Sequence, residues 1–250
     1  MHSEMIPLEK LEAYGESSAR SLPIGGSVPG RESSSRILRS AHTLQRLQRR
    51  MTREGRDDGA ARWLLDNWYL CEREALDAAA AFRGAPRIRR SGDTALVIAA
   101  AAALLSASRG NVDAARCAAF IRGFERKTVF TRQELALFAA ALRAAAAEAL
   151  CSLYRCKNAD EAMAASLFGS LRLWGHTDFA ALLEDVSRTE QILRADPSGV
   201  YPRIDEGSRD SYRQQLERLA ARRGIPEYRV AQRALRMSSS ASVQQERHIG

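Results

Sequence analysis

The sequence predicts an all-α fold, a multi-helix bundle of roughly seven to eight helices, on three observations. Apolar residues recur at helical spacing in segment after segment from residue 36 onward. Helix-start and helix-stop signals punctuate those segments. No segment sustains period-two alternation enriched in Val, Ile or Thr, so no strand is expected.

Taken in order, residues 1–35 are rich in Gly, Pro and Ser, offer no packed face that repays ordering, and read as a flexible, disordered leader. A helical domain is expected over 36–237. It opens with Ile37, Leu38, Ala41, Leu44, Leu47 and Met51 at helical spacing and arginines between them, a stripe expected to dock on the rest of the protein. A second helix starts after Gly59 and offers Trp63, Leu64, Trp68, Leu70 or Cys71, and Leu76 for burial. Pro86 and Gly92 break the pattern, and Asp93 or Thr94 is placed to cap the apolar helix that follows. Asn111 is the expected cap of the next helix. Thr131 with Glu134 forms a capping box, T-x-x-E, ahead of an alanine-rich helix. Further helices are expected over 159–173, 177–194, 206–222 and 226–237, then a flexible polar tail over 238–250.

The chain has 250 residues and 45% hydrophobic content, sufficient for a substantial core. No apolar run approaches the roughly 18 residues that would span a bilayer. An acidic, apolar-poor N-terminus points away from secretion and toward a cytoplasmic location. Cys71, Cys117, Cys151 and Cys156 sit inside helix-like segments and read as reduced, mostly buried thiols. The formal charge is +8, and all but three of the 38 basic residues are arginine, spread along the chain. A basic protein gains affinity for nucleic acid by releasing phosphate counterions, and a helical nucleic-acid-binding protein is the alternative reading.

Catalytic signals are sparse. His2, His42, His176 and His248 have no metal-ligand spacing, and no nucleophile elbow, phosphate-binding loop or dinucleotide glycine pattern occurs. No catalytic residue, metal or cofactor is expected, and no small-molecule ligand is evident. The densest polar stretch, DPSGVYPRIDEGSRDSYRQQLERLA over 196–220, decomposes into helix-entry chemistry. Asp196-Pro197-Ser198-Gly199 is turn-forming. Tyr201-Pro202 is expected to be extended. Asp205 is an N-cap, and the following helix ends at Gly224. An acid/base reading would use Asp205, Asp210 and Glu217, but Arg213 is placed to pair with either helix carboxylate. No apolar surroundings legible in the sequence would raise those pKa values.

The order of the segments carries a further reading. Trp63, Leu64, Leu65, Asp66 and Asn67, the Glu134 region, and a signature made of Asp196, Pro197, Gly199, Tyr201, Asp205, Ser208, Arg209, Asp210, Tyr212 and Arg213 resemble the N-terminal helical region of cyclic β-1,2-glucan synthases. Ile204 stands where the family has methionine, and the segment between Glu148 and Leu171 is shorter than the family's insert. The resemblance covers roughly residues 36–237. It implies a truncated or shortened relative of a UDP-glucose-dependent membrane glucosyltransferase, carrying none of the catalytic motifs. Such a relative would be a non-catalytic helical module with a structural or assembly role. Its partners would be the membrane and catalytic parts of a glucan synthase, at the inner face of the inner membrane.

Overall fold

The computed structural model describes the backbone of residues 4–156 and 158–247 and the side chains among these up to residue 238; His2, Lys157 and His248 lie outside the described residues. In chain order, helix α1 (Leu8–Ser21) leads into strand β1 (Ile24–Pro29) and the long helix α2 (Gly30–Arg53). Then come α3 (Gly59–Asp66), α4 (Trp68–Gly84), the hairpin strands β2 (Arg87–Ser91) and β3 (Thr94–Ala95), and α5 (Leu96–Ala107). Next are α6 (Ala114–Glu125), α7 (Arg132–Ala136), α8 (Phe138–Arg155) and α9 (Glu161–Trp174). The C-terminal part comprises α10 (Phe179–Val186), α11 (Arg188–Arg194), a 3₁₀ turn (Tyr201–Arg203), α12 (Glu206–Arg223) and α13 (Glu227–Arg247).

The protein is mainly helical, as expected, but the described residues form thirteen α-helices and a small sheet instead of seven or eight helices and no strands. Helix α1, in the expected leader, and local breaks account for the excess. Asn67 leaves helical geometry (φ −121°, ψ 17°) and divides α3 from α4, while Ser187 takes extended geometry and divides α10 from α11. The sheet has the order β1-β2-β3, antiparallel throughout. Gly92 adopts φ +58° in the tight turn of the β2–β3 hairpin, which places Asp93 and Thr94 in that hairpin, and Ala95, which offers no side-chain cap, is the N-cap of α5. Asp113, rather than Asn111, caps α6.

The expected disordered leader is the largest correction. Residues 8–21 are a helix packed against α6, and residues 24–29 pair with β2. Small residues make this possible instead of preventing it. A Cβ on Gly15 would stand 2.3 Å from the Phe120 carbonyl oxygen, and one on Gly123 would stand 1.9 Å from that of Glu12, so the two backbones cross in near contact. Glu12 accepts from Arg122 (3.1 Å) and from Arg126, and Leu11 is fully buried. At the other end, α13 runs through much of the expected flexible tail, 238–250, whose last three residues lie outside the described residues.

The main core gathers α1–α10, with α2 on α4 and α8, α5 on α8, and α3 on α9. Ile37, Ala41, Leu44, Leu47 and Met51 bury the inner face of α2, which is the docking expected of that stripe. Phe124, Phe130 and Phe138 form an aromatic run in which the first two rings stack at 4.7 Å. A second, much smaller cluster of Leu193, Tyr201, Leu216 and Ala231 joins α11, α12 and α13. Among the described residues no helix is long and apolar enough to cross a membrane.

Candidate functional site

The residues singled out by sequence fall at three places. Trp63, Asp66 and Asn67 lie where α3 meets α9. Trp63 stacks on Phe168 (6.1 Å between centroids, 15° between planes), with the Arg172 guanidinium 5.9 Å from its ring centre. Asn67 is buried; its amide nitrogen donates to the Trp63 carbonyl (2.9 Å) and its amide oxygen accepts from Arg172. These contacts fix the α3–α4 break against α9. Asp66 is exposed.

Glu134 is a second place. It completes the expected capping box with Thr131 and, fully buried, takes the Arg89 guanidinium from β2, which ties the sheet to α7. Burial of a carboxylate is tolerable only with such pairing.

The third place holds the rest of the signature. Asp196 accepts from the Ser198 amide (3.1 Å) and hydroxyl (2.6 Å) and from the amides of Val200 and Tyr201 (both 3.1 Å). These bonds, the Ser198 hydroxyl foremost, hold its carboxyl below the usual carboxylate range. With its amides gathered onto one carboxylate the chain coils, so Tyr201-Pro202 forms a 3₁₀ turn and is not extended as the sequence suggested. Proline fits because it occupies a first-turn position, where its missing N–H leaves no bond unmade. Tyr201 is thereby turned inward, and its hydroxyl donates to Glu190 Oε2 (3.0 Å). Burial foremost, with Glu190 close by, pushes the Tyr201 phenol up to about 12. Tyr212 packs edge-on against Tyr201 (6.1 Å, 77°).

Asp205 caps α12 as expected, accepting from the Ser208 amide (3.0 Å) and hydroxyl (2.6 Å), and Gly224 ends the helix in left-handed geometry (φ +62°). On the inner side of α12, Arg213 meets three carboxylates: Nε lies 3.0 Å from Glu190 Oε2, Nη1 2.7 Å from Glu206 Oε1 and Nη2 3.0 Å from Glu184 Oε1. Burial works against its charge, but the bonds to Glu190 and Glu206 prevail and the guanidinium is held above its ordinary value. Arg209 reaches Glu184 (3.2 Å) and Glu206 (2.8 Å), and Arg194 reaches Glu184 (2.6 Å), Asp185 (3.0 Å) and Glu190 (3.3 Å). Three arginines and four carboxylates thus form one clamp between α10, α11 and α12.

Beside the clamp lies a cavity of about 270 Å³ whose apolar wall includes Phe130, Leu183, Leu193 and Leu216 and whose polar wall includes Glu184, Glu190, Arg213 and Glu227. Both oxygens of Glu190 are engaged, by Arg194 on one side and by Arg213 and Tyr201 on the other. Asp210 and Glu217 both meet Arg132, Glu217 at 3.7 Å, so the acid/base pair weighed from sequence is a pair of ion-pair partners. Glu227, raised above the usual range chiefly by burial, accepts the Arg132 amide (2.9 Å). Among the described residues no three His, Cys, Asp or Glu side chains are grouped so as to hold a metal ion.

Glu184, Glu190, Glu227 and Arg194 were not singled out by sequence. Signals existed for two of them: Ser187-x-x-Glu190 is a capping-box pattern, with the Ser187 hydroxyl accepting the Glu190 amide (3.3 Å), and Glu190 and Arg194 have the i,i+4 spacing of a helical ion pair. Partners more than twenty residues away carry no such mark.

What these residues define is a helical module whose polar signature is committed to caps and to an arginine–carboxylate clamp. No protein-family model matches the chain. Over 94 residues, 38% of its length, it is 34% identical to the cyclic beta-(1,2)-glucan synthase NdvB of Rhizobium meliloti (strain 1021). The match spans 3% of that protein's length, and the likeness amounts to a distant relationship.

Proposed function

We propose that the chain is a non-catalytic helical module of glucan biosynthesis, with a structural or assembly role toward the membrane and catalytic parts of a glucan synthase, at the inner face of the membrane. The observation that carries this reading is the 94-residue similarity to a cyclic glucan synthase. Support comes from the use made of the signature residues: Asp196 and Asp205 accept backbone amides, and Arg209, Asp210 and Arg213 are spent on ion pairs.

Two measurements test it. Purified protein incubated with UDP-glucose should transfer no glucose, and deleting the gene in the organism that encodes it should lower cellular β-glucan. Turnover by the isolated chain would overturn the non-catalytic part of the reading. Unchanged glucan in the deletion strain would overturn the link to glucan synthesis.

A further inference from the structure

The outer face of α2 carries Arg39, His42, Arg46, Arg49, Arg50 and Arg53, all exposed, at steps that keep them on one side of the helix. Arg155, exposed at the end of α8, stands across an open groove of about 800 Å³ from Arg39, His42 and Arg46. The groove's lining holds a single carboxylate, Glu148, which is occupied by Arg36 Nε at 2.8 Å. Farther along, Glu54 lies 3.5 Å from Arg50. Among the described residues Arg39, Arg46, Arg49, Arg53 and Arg155 pair with no carboxylate, whereas the clamp arginines Arg194, Arg209 and Arg213 each meet two or three.

Such a track attracts an anionic surface, and its shape and chemistry discriminate between kinds. A helix that lies on a bilayer turns an apolar face to lipid, but the apolar face of α2 is consumed by the protein core. The large apolar side chains that are exposed, among them Tyr69, Leu76, Tyr212 and Leu219, lie outside α2. Arginine's planar fork suits phosphate oxygens. The groove lining includes no Phe, Tyr or Trp on which an unpaired base could stack, so single strands find no platform. From Arg39 to Arg53 the helix rises about 21 Å, the length of roughly six phosphates along one strand of a duplex.

We propose that the α2–α8 groove, together with the arginine face of α2 that continues beyond it through Arg49 and Arg53, binds the phosphodiester backbone of duplex nucleic acid without regard to sequence. The guanidiniums of Arg39, Arg46, Arg49, Arg53 and Arg155 replace condensed counterions, and no base edge is read. This surface is independent of the clamp and of any role in glucan synthesis.

The test is fluorescence anisotropy of the full-length protein with a random-sequence duplex over a salt series. About five phosphate contacts give a log–log salt slope near −4.5, a loss of roughly 500-fold in affinity between about 50 and about 200 mM salt. Replacing three of the five, R39Q/R46Q/R155Q, should make the slope less negative by about 2.7. A control with the same charge change on exposed α12 positions, R218Q/R222Q/R223Q, should leave the slope in place. Circular dichroism checks that both variants keep the native thermal midpoint. Undetectable duplex binding at low salt, equal slope changes in the two variants, or tighter groove-dependent binding to phosphatidylglycerol vesicles than to duplex would each overturn the proposal.

Discussion

Arg213 Nε sits 3.0 Å from Glu190 Oε2, joining α12 to α11 through a pair in which the glutamate side chain is 5% exposed and the arginine 14%. Removing one partner strands the other where water is scarce. Arg213→Ala should destabilise the protein by roughly 2–3 kcal/mol, toward the lower end for a broken buried pair because Tyr201 and Arg194 still hold Glu190. Arg213→Lys should recover little of this, since one ammonium cannot present the Nε–Nη1–Nη2 fork to three glutamates. Urea unfolding followed by circular dichroism measures both.

The α1–α6 crossing admits no side chain at Gly123. Gly123→Ala places a methyl against the Glu12 backbone and should force α1 away from α6, at about 1–3 kcal/mol. Limited proteolysis should then cut within residues 8–29 at protease levels that leave the parent chain intact.

Glu125 bridges distant segments, accepting the Phe130 amide (3.0 Å) and the Arg188 amide (2.7 Å) from a nearly fully buried position. Burial pushes its carboxyl from 4.5 up to about 7, the two amides opposing the shift only in part. The folded state therefore binds the proton more tightly than the unfolded state. The resulting stability, on the order of 3 kcal/mol at 1.36 kcal/mol per pKa unit, is present below about pH 4.5 and lost as pH rises through about 7. Glu227 is shifted in the same direction. Unfolding free energies at about pH 5 and about pH 8 should show the decline, and Glu125→Gln should flatten it.

Thiol reactivity should single out Cys156, which is exposed. Burial pushes Cys71 up to about 12 and Cys151 to about 11, and raises Cys117 as well, so none of these three supplies thiolate at neutral pH. Iodoacetamide should label the native protein once and the urea-unfolded protein four times, with Cys156→Ser abolishing the native adduct, as read by intact mass.

Where a signal is local, the sequence was legible. Thr131 with Glu134, Asp205 with Ser208, and Gly224 each act within one helical turn, and each does in the structure what its spacing implies. The inner face of α2 was legible for the same reason. The leader was misread because its Gly, Pro and Ser content was taken to deny it a packed face, whereas a helix crossing at backbone contact needs residues as small as Gly15. The β2–β3 hairpin carried its Gly92-Asp93 turn in plain view, but strands of five and two residues are too short to display a period. The clamp was hidden because Glu184, Glu190 and Arg213 meet only after α10, α11 and α12 have folded together.

The small cluster around Leu193, Tyr201, Leu216 and Ala231 stands apart from the main core. Little oil and much charge fasten the last helices, so ions in the medium compete directly with that attachment. Backbone amides of α12 should therefore exchange with deuterium sooner than those of α5 or α8, and the gap should widen in concentrated salt while the aromatic interior keeps its protons.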